Sequence, residues 1–291
     1  MERELWNILA SDLTTLATLE RSGRCTHPAT RIARIYLWAV LHDRPVSWAC
    51  DKRNWIGVKQ PRVMPNQSTM SRRLRRPEIQ TMLVTLMDRL EPVDRDALVL
   101  RIDGKPLPVA KHSQDRGATI GRGAGGFQRG YKLHAIYGSN NRPVVYRVAP
   151  MNIDERVVAK QMLEEIAGSE GYLLGDANYE TNPLYDQAAS VGRVMVTPRR
   201  FANAKGLGQS RTHSEHRVAM IQRMKNPSSY IRTLLMNRRQ VETNFANLTN
   251  YGGGLTTLPP WVRGCRVGLY VTAKILIRLA RDHAIAQRDR A

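Results

Sequence analysis

"YLLGDANYETNPLYDQAASVGRVMVTP", residues 172–198, decides how this chain is to be read. A short apolar run ends at Gly175 and Asp176, Asn182 and Pro183 open a helix over "NPLYDQAASVG", and "VMVTP" resumes as a strand. Asn is a good helix cap, and Pro suits the first turn because the N–H it lacks has no helical partner there. Strand, helix and strand in quick succession predict an α/β layer. Working outward, "ALVLRID" alternates Leu98, Leu100 and Ile102 against Val99, Arg101 and Asp103, and "GYKLHAIYG" and "PVVYRVAP" read as further strands. "DERVVAKQMLEEIAG" is an amphipathic helix, with Asp154 as its N-cap and Gly168 at its end.

Upstream of Pro92 the texture is helical. "RIARIYLWAVLHD" is an apolar helix, and "PEIQTMLVTLMDRLEP" sets Ile79, Met82, Leu83, Leu86, Met87 and Leu90 at helical spacing. Between them, "MPNQSTMSRRLRR" puts Met70 and Leu74 on one face and Ser68, Arg72 and Arg76 on another. That is the layout of a helix laid against DNA, and equally of a solvated basic face; both readings stay open. "WVRGCRVGLYVTAKILIRLA", from Trp261, carries Arg263, Arg266, Lys274 and Arg278, so it reads as a packed basic helix and not as a membrane span. Two segments resist this grammar. Residues 110–130, with six glycines, read as a mobile basic loop, and residues 199–226 read as a basic insert of loop or loose helix.

The 291 residues hold 45 Lys and Arg against 25 Asp and Glu, a formal charge of +20 spread along the whole chain. Such an excess points to a polyanionic partner, nucleic acid first. Cys25, Cys50 and Cys265 are too far apart to form a zinc site or a disulfide framework, which fits a reducing cytosol, and "MERELWNILASD" does not read as a secretory signal.

Against that basic background three acids stand out. Asp103 closes the first strand and Asp176 the fourth, and ligands of open α/β sheets gather at such strand ends. Taken alone, each is equally well a turn residue. In "SSYIRTLLMNRRQVETNFANL", read as one helix at about 100° per residue, Glu242 and Arg238 point with the apolar stripe of Ile231, Leu234, Leu235, Val241, Phe245 and Leu248. An inward Glu needs a partner. Either Arg238 and Glu242 form a buried ion pair, or Glu242 reaches a metal held by the two aspartates. Three carboxylates without His or Cys suit magnesium or manganese. Two such ions support in-line attack on a phosphodiester. "RTHSEHR", with His213, Glu215 and His216, is a weaker metal candidate.

"RIDGKP", "GYKLHAIYG", "LLGDANYE" and "RRQVETNFANL", in that order and with 73 residues from 103 to 176 and 66 from 176 to 242, resemble the bacterial insertion-sequence DDE transposases. The resemblance spans about residues 95–255. It implies a ribonuclease-H-like mixed sheet flanked by helices, preceded by an all-helical region. The organisation expected from it is 1–94 for DNA binding and dimerisation, 95–255 for catalysis and 256–291 as a C-terminal basic helix. It further implies Asp103, Asp176 and Glu242 as the catalytic and metal-binding triad with two Mg2+ or Mn2+ ions, and Arg238 as a DNA contact. Lys105, Lys132, Arg122 and Arg129 are then expected on phosphates, and Arg72, Arg73 and Arg76 on the transposon ends. Leu235 and Thr249 stand where the family often has Tyr and Lys. The implied partners are terminal inverted repeats, target DNA and a second copy of the chain, in a bacterial cytoplasm at the nucleoid. A decayed transposase that binds without cutting, or a hydrolytic nuclease of the same fold, are the alternatives.

Overall fold

A computed structural model of the chain describes residues 2–19, 26–123, 125–166, 168, 170–200, 206–207, 212–250 and 257–290, the side chains of 249 and 250 excepted. The helices are α1 (Glu2–Leu19), α2 (Ala29–Leu41), α3 (Val46–Ala49), α4 (Gln67–Arg73), α5 (Pro77–Leu90), α6 (Glu155–Glu164), α7 (Asn182–Ser190), α8 (Glu215–Lys225), α9 (Ser229–Asn237), α10 (Gln240–Asn250) and α11 (Arg266–Arg288). The strands are β1 (Val99–Pro108), β2 (Thr119–Gly123), β3 (Gly126–Tyr137), β4 (Pro143–Pro150), β5 (Gly171–Leu174) and β6 (Arg193–Val196). They build two compact units, each assembled from separated stretches: 1–92, 109–117 and 247–291 form a helical unit, and 93–108 with 118–246 form a sheet unit.

In the helical unit α11 packs against α1, α2 and α5. α2 buries Ile32, Ala33, Ile35, Tyr36, Leu37, Trp38, Ala39 and Val40, residues from every side of the helix, as befits a central element. α5 starts on Pro77 with Glu78 in its first turn and buries Ile79, Leu83, Leu86, Met87 and Leu90, each such side chain contributing about 1.5–3 kcal/mol by leaving water. α11 is packed as expected. Even Lys274 and Arg278 lie inside, Lys274 Nζ sitting 5.4 Å from the Tyr270 ring centroid and Arg278 Nε donating to Asp282 at 2.8 Å. Among the described residues no helix is long and apolar enough to cross a membrane. α4 is capped by Asn66, whose side chain accepts from Thr69 N at 2.8 Å; Met70 and Leu74 are buried and Ser68, Arg72 and Arg76 exposed.

The sheet unit is the mixed α/β layer read from the sequence. β1 runs antiparallel to β3 and parallel to β5, β5 runs parallel to β6, and β3 also pairs antiparallel with β2 and β4. β3 is buried from Gly130 through Tyr137, on both faces, as its central place requires. Helices α6, α7 and α8 pack on the strands and on one another. They close a core that includes Leu100, Ile102, Leu173, Met162, Leu184 and Met195.

Five local expectations are corrected. Within the segment read as a mobile loop, Thr119–Gly123 and Gly126–Tyr137 form the β2–β3 pairing. Its Gly130 is there for close approach: a Cβ would meet Leu107 O at 2.3 Å. β1 continues to Pro108, so Asp103 sits in mid-strand. Leu98 is 61% exposed and takes no part in the β1 alternation. The cap of α7 is Thr181, while Asn182 Oδ1 accepts from Ser214 N at 3.3 Å and from Arg217 Nη1 at 3.2 Å. In the insert at 199–226, α8 is a regular helix capped by Ser214, and residues 201–205 and 208–211 lie outside the described residues.

Candidate active site

The parallel ladder of β1 and β5 pairs Val99 with Tyr172, Leu100 with Leu173 and Arg101 with Leu174. The paired register, offset by 73 residues, ends at Leu174, and Asp176 follows two residues beyond it, near enough to Asp103 for its charge to act on that carboxyl. Asp103 follows Val99 and Arg101 on one face of β1, while Leu100 and Ile102 turn into the core. Its Oδ1 accepts from Gly104 N at 2.7 Å. Burial above all, with the charges of Asp176 and Glu155, pushes the Asp103 carboxyl up to about 7, against the lowering effects of that hydrogen bond and of Arg238. Asp176 caps the short 3-10 turn Ala177–Tyr179, with Oδ1 accepting from Asn178 N at 2.8 Å. The local need for a cap fixes its place.

Four further residues surround the pair. Glu155, first residue of α6, forms an ion pair with Lys132 of β3, the two side chains being 20% and 8% exposed. A Cβ on Gly104 would lie 3.2 Å from Lys132 Cδ and 3.5 Å from Glu155 Cδ, which places this ion pair against the residue next to Asp103. Tyr179 is fully buried, and its hydroxyl is held well above the usual phenol range by burial and by the charges of Glu155, Asp103 and Asp176. It therefore stays a neutral donor among three acids. His134, also fully buried, is lowered to about 4 by burial and by Lys132, so it is neutral at physiological pH. Sequence reasoning missed Glu155 because Asp154 beside it accounts for the helix start. Its available signal was Lys132, a cation in a strand whose neighbours are apolar.

Glu242 stands differently. α9 ends at Asn237, a turn occupies Arg238 and Arg239, and α10 starts at Gln240. Ile231, Leu234, Val241, Phe245 and Leu248 are buried as the wheel predicts, but Leu235 is only half-buried and the Glu242 side chain is 59% exposed. The buried arc is narrower than expected and the helix is broken at its middle, so Glu242 falls on the rim. Its carboxylate lies 3.8 Å from the Arg238 guanidinium, whose side chain is 24% exposed. It is Arg238, and not Glu242, that acts on the Asp103 carboxyl. Among the described residues no group of three or more His, Cys, Asp or Glu side chains is gathered closely enough to hold a metal ion, which disposes also of His213, Glu215 and His216 as a preformed site.

Of the expected DNA contacts, Arg122, Arg72 and Arg76 are exposed. Lys105 is half-buried, its ammonium lowered by burial. Arg129 donates from Nε to Ala118 O at 3.1 Å. Two of them are engaged within the protein: Lys132 is buried and bound to Glu155, and Arg73 pairs with Glu78 at 2.6 Å with its side chain 13% exposed.

Fold and site together define an α/β domain with an acidic centre built across two adjacent parallel strands of a strongly basic chain. Residues 94–258 match the family described as Transposase DDE domain, and the chain belongs to that family. A solved structure to which it is similar is the cryo-EM structure of the piggyBac transposase synaptic complex with hairpin DNA, at 10% identity and a TM-score of 0.44, over 99% of this chain and 73% of that one. No curated protein matches the chain by sequence.

Proposed function

We propose that this transposase-domain protein cuts DNA at the ends of an insertion sequence and joins the freed ends to target DNA, with Asp103 and Asp176 at the reaction centre and Glu242 as the third carboxylate. The observation that carries the reading is the nearness of Asp103 in β1 to Asp176 just past β5, close enough for the Asp176 charge to act on the Asp103 carboxyl, inside the stretch that matches the Transposase DDE domain. The donor set suits a divalent cation: two hard-oxygen carboxylates, one of them so poorly solvated that its carboxyl is raised to about 7 for want of a compensating positive charge. Asp103 and Asp176 would hold Mg2+ or Mn2+, two ions in the full reading. Such ions, when bound, activate a water or sugar hydroxyl and stabilise the leaving oxygen.

The chain's own groups prepare the centre. The Gly104 N–H fixes one Asp103 oxygen, and the Asn178 N–H does the same for Asp176. Tyr179 offers a proton donor that does not ionise. Arg238 is shared between Asp103 and Glu242; a DNA phosphate that engages its guanidinium releases Glu242 from the ion pair and lets it turn toward the two aspartates. Synapsis of two ends by a homodimer, action in the cytoplasm at the nucleoid, and recognition of the ends by residues 1–94 belong to the same proposal.

The exposure of Glu242 favours a second reading, a protein that binds DNA without cutting it. One assay separates the two: a plasmid carrying the element's own flanking ends, incubated with Mg2+ or Mn2+ and either the wild type or Glu242→Gln. Nicks at the ends and joined products from the wild type, absent with the variant, support transposition. Nicks without joining mark a nuclease, and binding alone marks the regulatory protein.

A further inference from the structure

Two adjoining cavities in the helical unit, about 320 and 460 Å3, share Trp261, Arg263 and Arg266 in their walls. The first opens beside Gln67, Ser71 and Leu74 of the α4 segment, the second beside Arg75, Arg116 and Gly117. Gln67, Ser71 and Arg75 recur at every fourth residue, so one side of the α4 helix and the residues just after it forms a wall of the cleft. That side is one residue out of phase with the Ser68, Arg72 and Arg76 side that the sequence singled out.

The cleft is built, not incidental. Asp115, 4% exposed, accepts Gly117 N at 2.9 Å on one oxygen and Gly264 N at 3.0 Å on the other. This single buried carboxylate ties the 113–117 turn to the 260–264 turn and thereby sets Arg116 and Arg263 on either side of the opening. Arg263 is braced by donating from Nε to Pro260 O at 2.7 Å, and Arg266 donates to Ser71 Oγ across the cleft. Asp115 is the only acid among the described residues that line the two cavities, and both its oxygens accept from backbone N–H groups. Trp261 is half-buried, its ring meeting Tyr270 edge to face at 5.5 Å and leaving part of the indole open.

We propose that this cleft binds the sugar-phosphate backbone of DNA, with Arg75, Arg116, Arg263 and Arg266 on successive phosphates and Trp261 against a sugar or an unstacked base. Guanidiniums with no carboxylate opposite them, set by a rigid frame, recognise phosphate oxygens through paired N–H donors, and their charge releases counterions from the strand. An aromatic face beside them adds stacking. The site deepens the DNA-acting reading and rests on it for the identity of the polyanion, but it requires no cleavage, so its test runs without divalent ions and stands whether or not the acidic centre is active.

Cys265, exposed in the wall of the second cavity, supplies a probe in the unaltered protein. Maleimide labelling of the full chain, read by peptide mass spectrometry, is expected to slow several-fold at Cys265 when a 20-base-pair duplex is added to saturation. An unchanged rate overturns the proposal. In parallel, fluorescence anisotropy compares Arg75→Ala/Arg116→Ala/Arg263→Ala with a control of equal charge, Arg3→Ala/Arg44→Ala/Arg62→Ala, after melting curves have shown both to be folded. The cleft variant should lose about tenfold or more in affinity, with the slope of log affinity against log salt falling by roughly 2–3, close to 0.9 for each phosphate contact removed. Equal losses in both variants mean general charge alone and overturn it.

Discussion

The two aspartates and the glutamate belong to the same expected triad, yet the fold treats them in opposite ways. Asp103 rides on β1, and Asp176 follows two residues after the end of the neighbouring strand β5, held as the cap of the turn Ala177–Tyr179. Glu242 rides on a helix that restarts after a two-residue turn, is largely solvated and pairs with Arg238. Carboxylates fixed by a strand and a cap are in place before any ligand arrives, whereas a carboxylate on a helix junction is placed by whatever occupies its neighbour. If the proposed triad is right, the contrast means that two of its carboxylates are set by the sheet unit's frame while the third is held by its ion pair with Arg238.

The hardest blow to the preformed half is charge removal at the ladder. Asp103→Asn and Asp176→Asn should each abolish DNA cutting while leaving duplex affinity in metal-free buffer within about twofold, because phosphate contacts and not these acids hold the strand. Cutting at near wild-type rate by either variant removes that residue from the centre. Next in size, Lys132→Met leaves the half-buried Glu155 near Asp103 without its cation, and stability should fall by roughly 3 kcal/mol in urea titration. A loss below about 1 kcal/mol would show the ion pair to be incidental to the centre.

A third effect comes from protons. The Asp103 carboxyl is raised from 3.8 to about 7 in the folded protein, so the folded state holds its proton more tightly than the unfolded chain does. The resulting stability is complete below about pH 4 and is lost as pH climbs through 7, reaching on the order of 2–4 kcal/mol. Asp103→Asn should therefore be the more stable protein at pH 8 without metal, and the gap should close toward pH 4. Mg2+ or Mn2+ should raise the wild-type melting temperature at pH 8 and leave the variant's unmoved. The smallest effect tests the unformed half: Glu242→Gln should change stability by less than about 0.5 kcal/mol, as expected for an exposed side chain, while ending DNA cutting. A large loss of stability would mean that Glu242 is part of the folded frame after all.

The same division explains what was legible in the sequence. Alternation in "ALVLRID" and the 73-residue interval carried the ladder pair, because a strand's two-residue period survives any tertiary surroundings. The helical wheel carried the burial of Val241, Phe245 and Leu248 but not the exposure of Glu242, because a wheel assumes one continuous helix and the turn at Arg238 and Arg239 interrupts it. Glycines in 110–130 read as freedom, whereas Gly130 serves a backbone contact that no local pattern announces. Glu155 and Lys132 lie 23 residues apart, and nothing short of the fold brings them together.

The chain passes between its two units four times, at 92–93, 108–109, 117–118 and 246–247. Residues 93–246 contain every strand and all of α6 to α9, so the sheet can complete itself while the helical unit still lacks α11 and the cleft wall at 260–266. In order of synthesis the whole sheet unit therefore precedes the 260–266 wall of the arginine cleft, and a chain interrupted between the two would carry the proposed centre without the proposed cleft.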